Sequence, residues 1–161
     1  MRNRRGMWLV LSVLVIVLDQ ASKLYFEQHF QYLEVRPVIE GFFNWTLVYN
    51  PGAAFSFLAD AGGWQRHFFT LLAVGVSLWL GWGILRGRQS LQMNAASALI
   101  IGGAIGNVID RMVYGHVIDF IQLYWQNFYW PAFNIADSAI CIGAVLMVLD
   151  GLRPATQQEF K

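Results

Sequence analysis

Charge is scarce along this chain. Asp, Glu, Lys and Arg make up 13% of its 161 residues, against about a quarter in a soluble domain, and 57% of the residues are hydrophobic. That balance excludes a water-facing globule of this size. A net charge of +1 with no basic stretch interleaved with aromatics excludes a nucleic-acid surface. Cysteine is nearly absent. Cys141 stands alone, so no intrachain disulfide forms, and with no histidine near it in the apolar run Ala139–Leu149 it reads as a small buried hydrophobe. The three histidines, His29, His67 and His116, are scattered and no H-E-x-x-H occurs, which leaves zinc chemistry unsupported. No G-x-S-x-G is present, and Ser56 and Ser138 lack a matching histidine or lysine signature. No phosphate-cradling glycine loop, internal repeat, low-complexity tract or second domain is visible, so residues 1–161 read as one membrane-embedded domain.

Long apolar runs are what the chain does have. Lipid offers no hydrogen bonds, so a spanning segment must be a helix of about 20 mostly apolar residues. Four spans are expected, at about 7–26, 67–85, 91–109 and 134–152. Arg2, Arg4 and Arg5 ahead of Trp8–Leu18 resemble a signal peptide, but no small-x-small cleavage site follows, and an uncleaved first helix is the preferred reading. Arg2, Arg4, Arg5, Arg86, Arg88, Arg153 and Lys161 fall on one side of four spans; Lys23, Arg36, Arg66 and Arg111 fall at or beyond the other. Positive charge stays inside, so both termini are expected in the cytoplasm and the two longer connections outside. Gly102-x-x-x-Gly106 predicts close helix approach within the bundle.

The first outward connection alternates like a sheet. Val35–Ile39 and Phe42–Tyr49 are rich in β-branched and aromatic residues, Glu40-Gly41 separates them, and Asn50-Pro51-Gly52 is a turn ahead of Ala53–Leu58. A small antiparallel sheet resting on the bilayer or the helices is expected. The second connection carries Tyr124, Trp125, Phe128, Tyr129, Trp130 and Phe133, an interfacial aromatic segment that predicts Asp119 and Asp137 near the headgroup level.

Polar residues gather at the outer ends of these spans, and ionisable groups there are costly enough to suggest function. Asp19 and Lys23 are spaced i, i+4 in the favourable order, which also suits a charge pair holding the helix end. Asn107, Asp110 and Arg111 share one helical face, and Asn134 and Asp137 share another at i, i+3. Asn50 and Gly52 suit plain turn chemistry. With metal and serine chemistry unsupported, a pair of aspartates remains. Asp119 and Asp137, 18 positions apart, would share a proton if a re-entrant path brought them together, one accepting from water and the other donating to a carbonyl. Spacing alone does not bring them together.

Five groups of residues carry a resemblance. Asp19-Gln20-x-x-Lys23, Asn50-x-Gly52-x-Ala54-Phe55, Gly103-x-x-x-Asn107-x-x-Asp110-Arg111, Val117-x-Asp119-Phe120 and Phe133-Asn134-x-Ala136-Asp137 occur in the order found in bacterial lipoprotein signal peptidases, the signal peptidase II family. The resemblance covers most of the chain. It implies an aspartyl endopeptidase of the bacterial inner membrane that cuts diacylglyceryl-modified prolipoproteins just before the lipidated cysteine. It implies no metal or organic cofactor, membrane lipids as surroundings, and inhibition by globomycin. It further implies Asp119 and Asp137 as the catalytic pair, Asn50, Gly52, Asn107, Arg111 and Asn134 as substrate-positioning residues, and Asp19, Lys23 and Asp110 as supporting ones. A small proton- or cation-coupled transporter subunit is the alternative; it predicts acids at mid-membrane and broken helices. A scaffold without chemistry predicts that both aspartates tolerate Asn. The G-x-G-D motif of other intramembrane aspartyl peptidases is absent.

Overall fold

The computed structural model describes residues 3–52 and 64–153. The strand expected at Ala53–Leu58, the matched Ala54 and Phe55, Ser56, and the charges Arg2 and Lys161 lie outside the described residues. Four helices and four strands follow in the order α1 (Asn3–His29), β1 (Val35–Ile39), β2 (Phe43–Asn50), α2 (Trp64–Arg86), α3 (Leu91–Val113), β3 (Val117–Trp125), β4 (Phe128–Tyr129) and α4 (Ile135–Gly151). Among the described residues three helices are long and apolar enough to cross a membrane: Gly6–His29, Trp64–Arg86 and Leu91–Val113. At 1.5 Å per residue, each is longer than the roughly 30 Å hydrocarbon core of a bilayer. The fourth, α4, is apolar but only 17 residues long.

Small residues decide how the helices pack. The central helix, α3, touches each of the other three, whereas α2 and α4 make no contact among the described residues. A Cβ added to Gly102 would lie 2.6 Å from Val15 Cβ of α1, and one added to Gly106 would lie 2.6 Å from Asp19 Oδ2. Gly103 faces the Ala136 carbonyl of α4 with no room for a methyl group, and Gly143 of α4 faces Ala96 and Ile100 of α3. The Gly102-x-x-x-Gly106 stripe therefore packs within the bundle, as the sequence predicts. Ser12 Oγ closes the α1–α3 contact by donating to Ala98 O at 2.8 Å. Leu80, Ile84, Ala98 and Ile101 fill the α2–α3 interface. The outward faces keep exposed apolar side chains, such as Leu71, Leu78, Val145 and Val148, as lipid-facing surfaces do.

The sheet differs from expectation in origin. β1 and β2 form the predicted hairpin, turning at Glu40-Gly41 with Gly41 at φ +78°. The second connection joins them: β3 pairs antiparallel with β2, aligning Val48 with Asp119 and Asn50 with Val117, and β4 folds back on β3. The strand order is β1-β2-β3-β4. Asp119 is thus reached along a paired strand, not by a re-entrant path. The reason is backbone demand. β2 has a free edge whose N–H and C=O groups need partners, and the β-branched and aromatic residues Val117–Trp125 supply them. The aromatic segment becomes the β3–β4 hairpin, with Trp125, Phe128, Tyr129 and Trp130 exposed. The sheet is fastened to the end of α1 by Phe26, Leu47, Ile118 and Phe120, with the Phe26 and Phe120 rings stacked at 4.3 Å.

Candidate active site

Two backbone features bring the outer-end polar residues together. First, Phe133 docks on β3: its N–H donates to Ile121 O at 3.0 Å, and its carbonyl accepts from Phe120 N and Ile121 N. That clamp sets the next residue, Asn134, beside Asp119. Second, Asn134 is the N-cap of α4 in a reciprocal capping box with Asp137. Its Oδ1 accepts from Asp137 N at 2.9 Å, and Asp137 Oδ2 accepts from Asn134 N at 3.3 Å. The free N–H groups of a first helical turn need such partners.

These constraints fix the amide orientations. With Oδ1 committed to the cap, Asn134 Nδ2 donates to Asp119 Oδ1 at 2.7 Å, and it also approaches Asn107 Oδ1 (3.3 Å) and Ile118 O (3.2 Å). Asn107 Nδ2 donates to Asp137 Oδ1 at 2.7 Å. Asn50 Oδ1 accepts from Gly52 N at 3.0 Å, the expected turn chemistry, while its Nδ2 donates to Asp119 Oδ2 at 3.3 Å. Gly52, at φ +114°, lets this turn close against Gln65 and Phe69 at the start of α2. The two aspartates are therefore bracketed by three asparagines from β2, α3 and the cap of α4.

Their environments differ. Asp119 is 2% exposed; burial, then the charge of Asp137, pushes its carboxyl up to about 8, against the amide bonds from Asn50 and Asn134 and the charge of Lys23. Asp137 is half-buried in the first turn of α4 and lines the cleft.

Behind the pair lies a buried ionic cluster. Lys23, 1% exposed, sits 2.7 Å from Asp19 and 2.8 Å from Asp110. The pairing expected within one helix turn is thus part of a bridge between α1 and α3. Gln20, which the sequence reading quoted in its motif but gave no role, donates to Asp110 Oδ1 at 2.8 Å and to Gly106 O at 3.2 Å. Its place one residue after Asp19, facing the small-residue stripe of α3, was the available signal.

In front of the pair, the cleft between α2 and α4 holds a cavity of about 600 Å³. Phe69 of α2, Arg111 of α3, and Ser138, Cys141 and Ile142 of α4 line its wall, with Trp130–Phe133 above and Asn50, Gly52 and Asp137 at its inner end. Arg111 donates to Asn107 O at 3.3 Å, and its buried Nε has no partner among the described residues. Asn107 and Asn134 do not line this cavity; their amides are occupied by the aspartates. Cys141 is a correction to the sequence reading: it is exposed and lines the cavity, because α4 turns that face toward the open cleft instead of toward α3. Phe69 carried no signal in the sequence, since nothing there separates it from other apolar residues of α2. Among the described residues no three of His, Cys, Asp and Glu cluster as metal ligands.

The chain has known counterparts. Residues 11–153 match the family model described as signal peptidase (SPase) II. The chain is 66% identical over 147 residues to a lipoprotein signal peptidase of Chromobacterium violaceum, covering 91% of each chain. It is 58% identical over 152 residues to a lipoprotein signal peptidase of Neisseria meningitidis serogroup B, covering 94% of this chain and 92% of the relative. A bacterial membrane enzyme solved by the in meso method at 2.3 Å superposes with a TM-score of 0.83 at 31% identity, covering 97% of this chain and 93% of the other. Asp119 and Asp137 both fall within matches that run almost the whole length, and the chain belongs to the signal peptidase II family, the membrane aspartyl peptidases of that type.

Proposed function

We propose that the chain removes signal peptides from diacylglyceryl-modified prolipoproteins, with Asp119 and Asp137 as the catalytic pair. The network that joins both carboxylates through Asn134 and Asn107, with Asp137 lining the cleft, carries this reading. Asp119, with its carboxyl raised to about 8, holds the shared proton at neutral pH, and Asp137 is the base. Water attacks the scissile carbonyl carbon and gives a proton to Asp137, while Asp119 protonates the carbonyl oxygen. Asp137 then returns the proton to the departing nitrogen as the C–N bond breaks, and Asp119 recovers its own from the tetrahedral hydroxyl.

Asn50, Gly52 and Arg111 face the cavity and position substrate; the Arg111 Nε, without a partner among the described residues, is a donor for a substrate carbonyl. Asn107 and Asn134 serve the reaction through the aspartates. The apolar walls of the cleft suit the acyl chains of a lipidated substrate and the inhibitor globomycin. We place α4 as a fourth span, both termini in the cytoplasm, and the site near the outer face of the bacterial inner membrane. A catalytic pair drawn from a strand and a first helical turn, instead of from mid-span on broken helices, favours this over a transporter subunit.

The test is cleavage of a diacylglyceryl-modified prolipoprotein in detergent with a chelator present. Asp119→Asn and Asp137→Asn should each lower turnover by roughly 10²–10⁴-fold. The double variant should cost little more, because the pair acts as a unit. Near-normal cleavage by either folded single variant would end the proposal.

A further inference from the structure

Each aspartate of the pair is preceded by a residue whose backbone N–H is held by a buried carboxylate. Ala136 N, just before Asp137, donates to Asp19 Oδ1 at 2.9 Å. Ile118 N, just before Asp119, donates to Asp110 Oδ2 at 3.1 Å. Asp19 and Asp110 are both fully buried, and they come from different helices. One ammonium joins them. Lys23 Nζ reaches Asp19 Oδ2, Asp110 Oδ2 and, at 2.9 Å, Asn107 Oδ1.

Three acceptors saturate an ammonium, which has three N–H donors and no lone pair to offer. The third contact has a consequence for Asn107. An amide facing an ammonium must present its oxygen, so its N–H₂ points the other way, at Asp137 Oδ1. Flipped by 180°, the same amide would set N–H₂ against N–H₃⁺ and a carbonyl oxygen against a carboxylate. Lys23 makes that orientation prohibitive.

Building on the catalytic reading above, we propose that Lys23 is a positioning residue: through Asp19 and Asp110 it sets the backbone ahead of both aspartates, and it holds the Asn107 amide so that a donor faces Asp137. The bond from Asn107, at 2.7 Å, ties Asp137 Oδ1 to a donor on α3. The other charged groups near Asp137 are Arg111 on α3 and Asp119 on β3. Lys23, Asp19 and Asp110 lie behind Asn107.

The decisive variant is Lys23→Met/Asp110→Asn, which removes one charge of each sign and leaves the buried net charge unchanged. In the detergent assay kcat should fall by about 100-fold with KM within about threefold, since only the reacting groups are disturbed. The acidic limb of the kcat–pH profile should move to higher pH, because the base loses its donor. A purely structural role would lower the yield or melting temperature of the enzyme and leave that limb in place. A folded double variant with the wild-type limb would overturn the proposal. If the double variant does not fold, Asn107→Ala decides: the acidic limb should again move up, and an unmoved limb would equally overturn it. Asp119→Asn and Asp137→Asn are run alongside. Activity in those would sink the catalytic reading itself, whereas their inactivity beside an unmoved limb in the Lys23 variant would sink only the positioning role.

Discussion

Asn134 Nδ2 lies 2.7 Å from Asp119 Oδ1, a contact between residues 15 positions apart made from the cap of one helix to the middle of a strand. One side chain therefore starts α4 with its oxygen and contacts Asp119 with its nitrogen. Both jobs depend on the Phe133–Ile121 bridge that precedes it.

The two jobs of Asn134 are separable. Asn134→Ser keeps a capping oxygen but removes the N–H₂ donor without adding a charge, so it should keep more of the wild-type melting temperature and lose at least about 100-fold in kcat. Asn134→Ala removes the cap as well and should also lose roughly 1 kcal/mol of stability. Thermal melts beside the cleavage assay distinguish the two. An active Asn134→Ser enzyme would show that the contact with Asp119 does not matter.

Asp119 predicts a pH dependence with a definite sign. Its carboxyl titrates at about 8 in the folded chain against a reference of 3.8. The folded state thus binds more protons than the unfolded one between those values. This contribution to stability is complete below about pH 4 and is lost as pH rises through about 8. Melting temperature in detergent should fall over that window, and the fall should be smaller in Asp119→Asn. Activity should show an alkaline limb near pH 8, where the acid loses its proton.

Gly103 links packing to catalysis. A methyl group there would run into the Ala136 carbonyl, one residue from Asp137. Backbone cannot swing aside as a flexible side chain does, so Gly103→Ala should displace the start of α4, lowering both melting temperature and kcat. Gly81 lies on α2 with none of the described residues within 4 Å of its would-be Cβ. Gly81→Ala should leave activity unchanged and stability equal or up to about 1 kcal/mol higher. Parallel melts and turnover measurements on the two variants check the contrast.

Topology is testable by reporter fusions. Four spans with both termini inside place Gln89 and Lys161 in the cytoplasm and Gly63 outside. A cytoplasmic signal at Gly63 would refute that arrangement.

The sequence by itself determined the helices, since apolar runs in lipid have no other way to satisfy their backbone groups. α1, α2 and α3 fall where those runs predict, and the β1–β2 hairpin follows from alternation and the Gly41 turn. Both aspartates and their partners were legible as polar residues gathered at the outer span ends and in the outward connections, where ionisable groups are costly. Tertiary structure alone decided the rest. Strand pairing between Val48 and Asp119 joins segments 71 residues apart (119 minus 48), and no local period announces such a partner. Lys23 reads as an ordinary i, i+4 pair until α3 brings Asp110 and Asn107 to it. Cys141 reads as core until the absence of α2–α4 contact leaves its face open. Local physics fixes which elements form and which face is apolar; which face meets which neighbour depends on residues far along the chain, and the site lies where those long-range contacts meet.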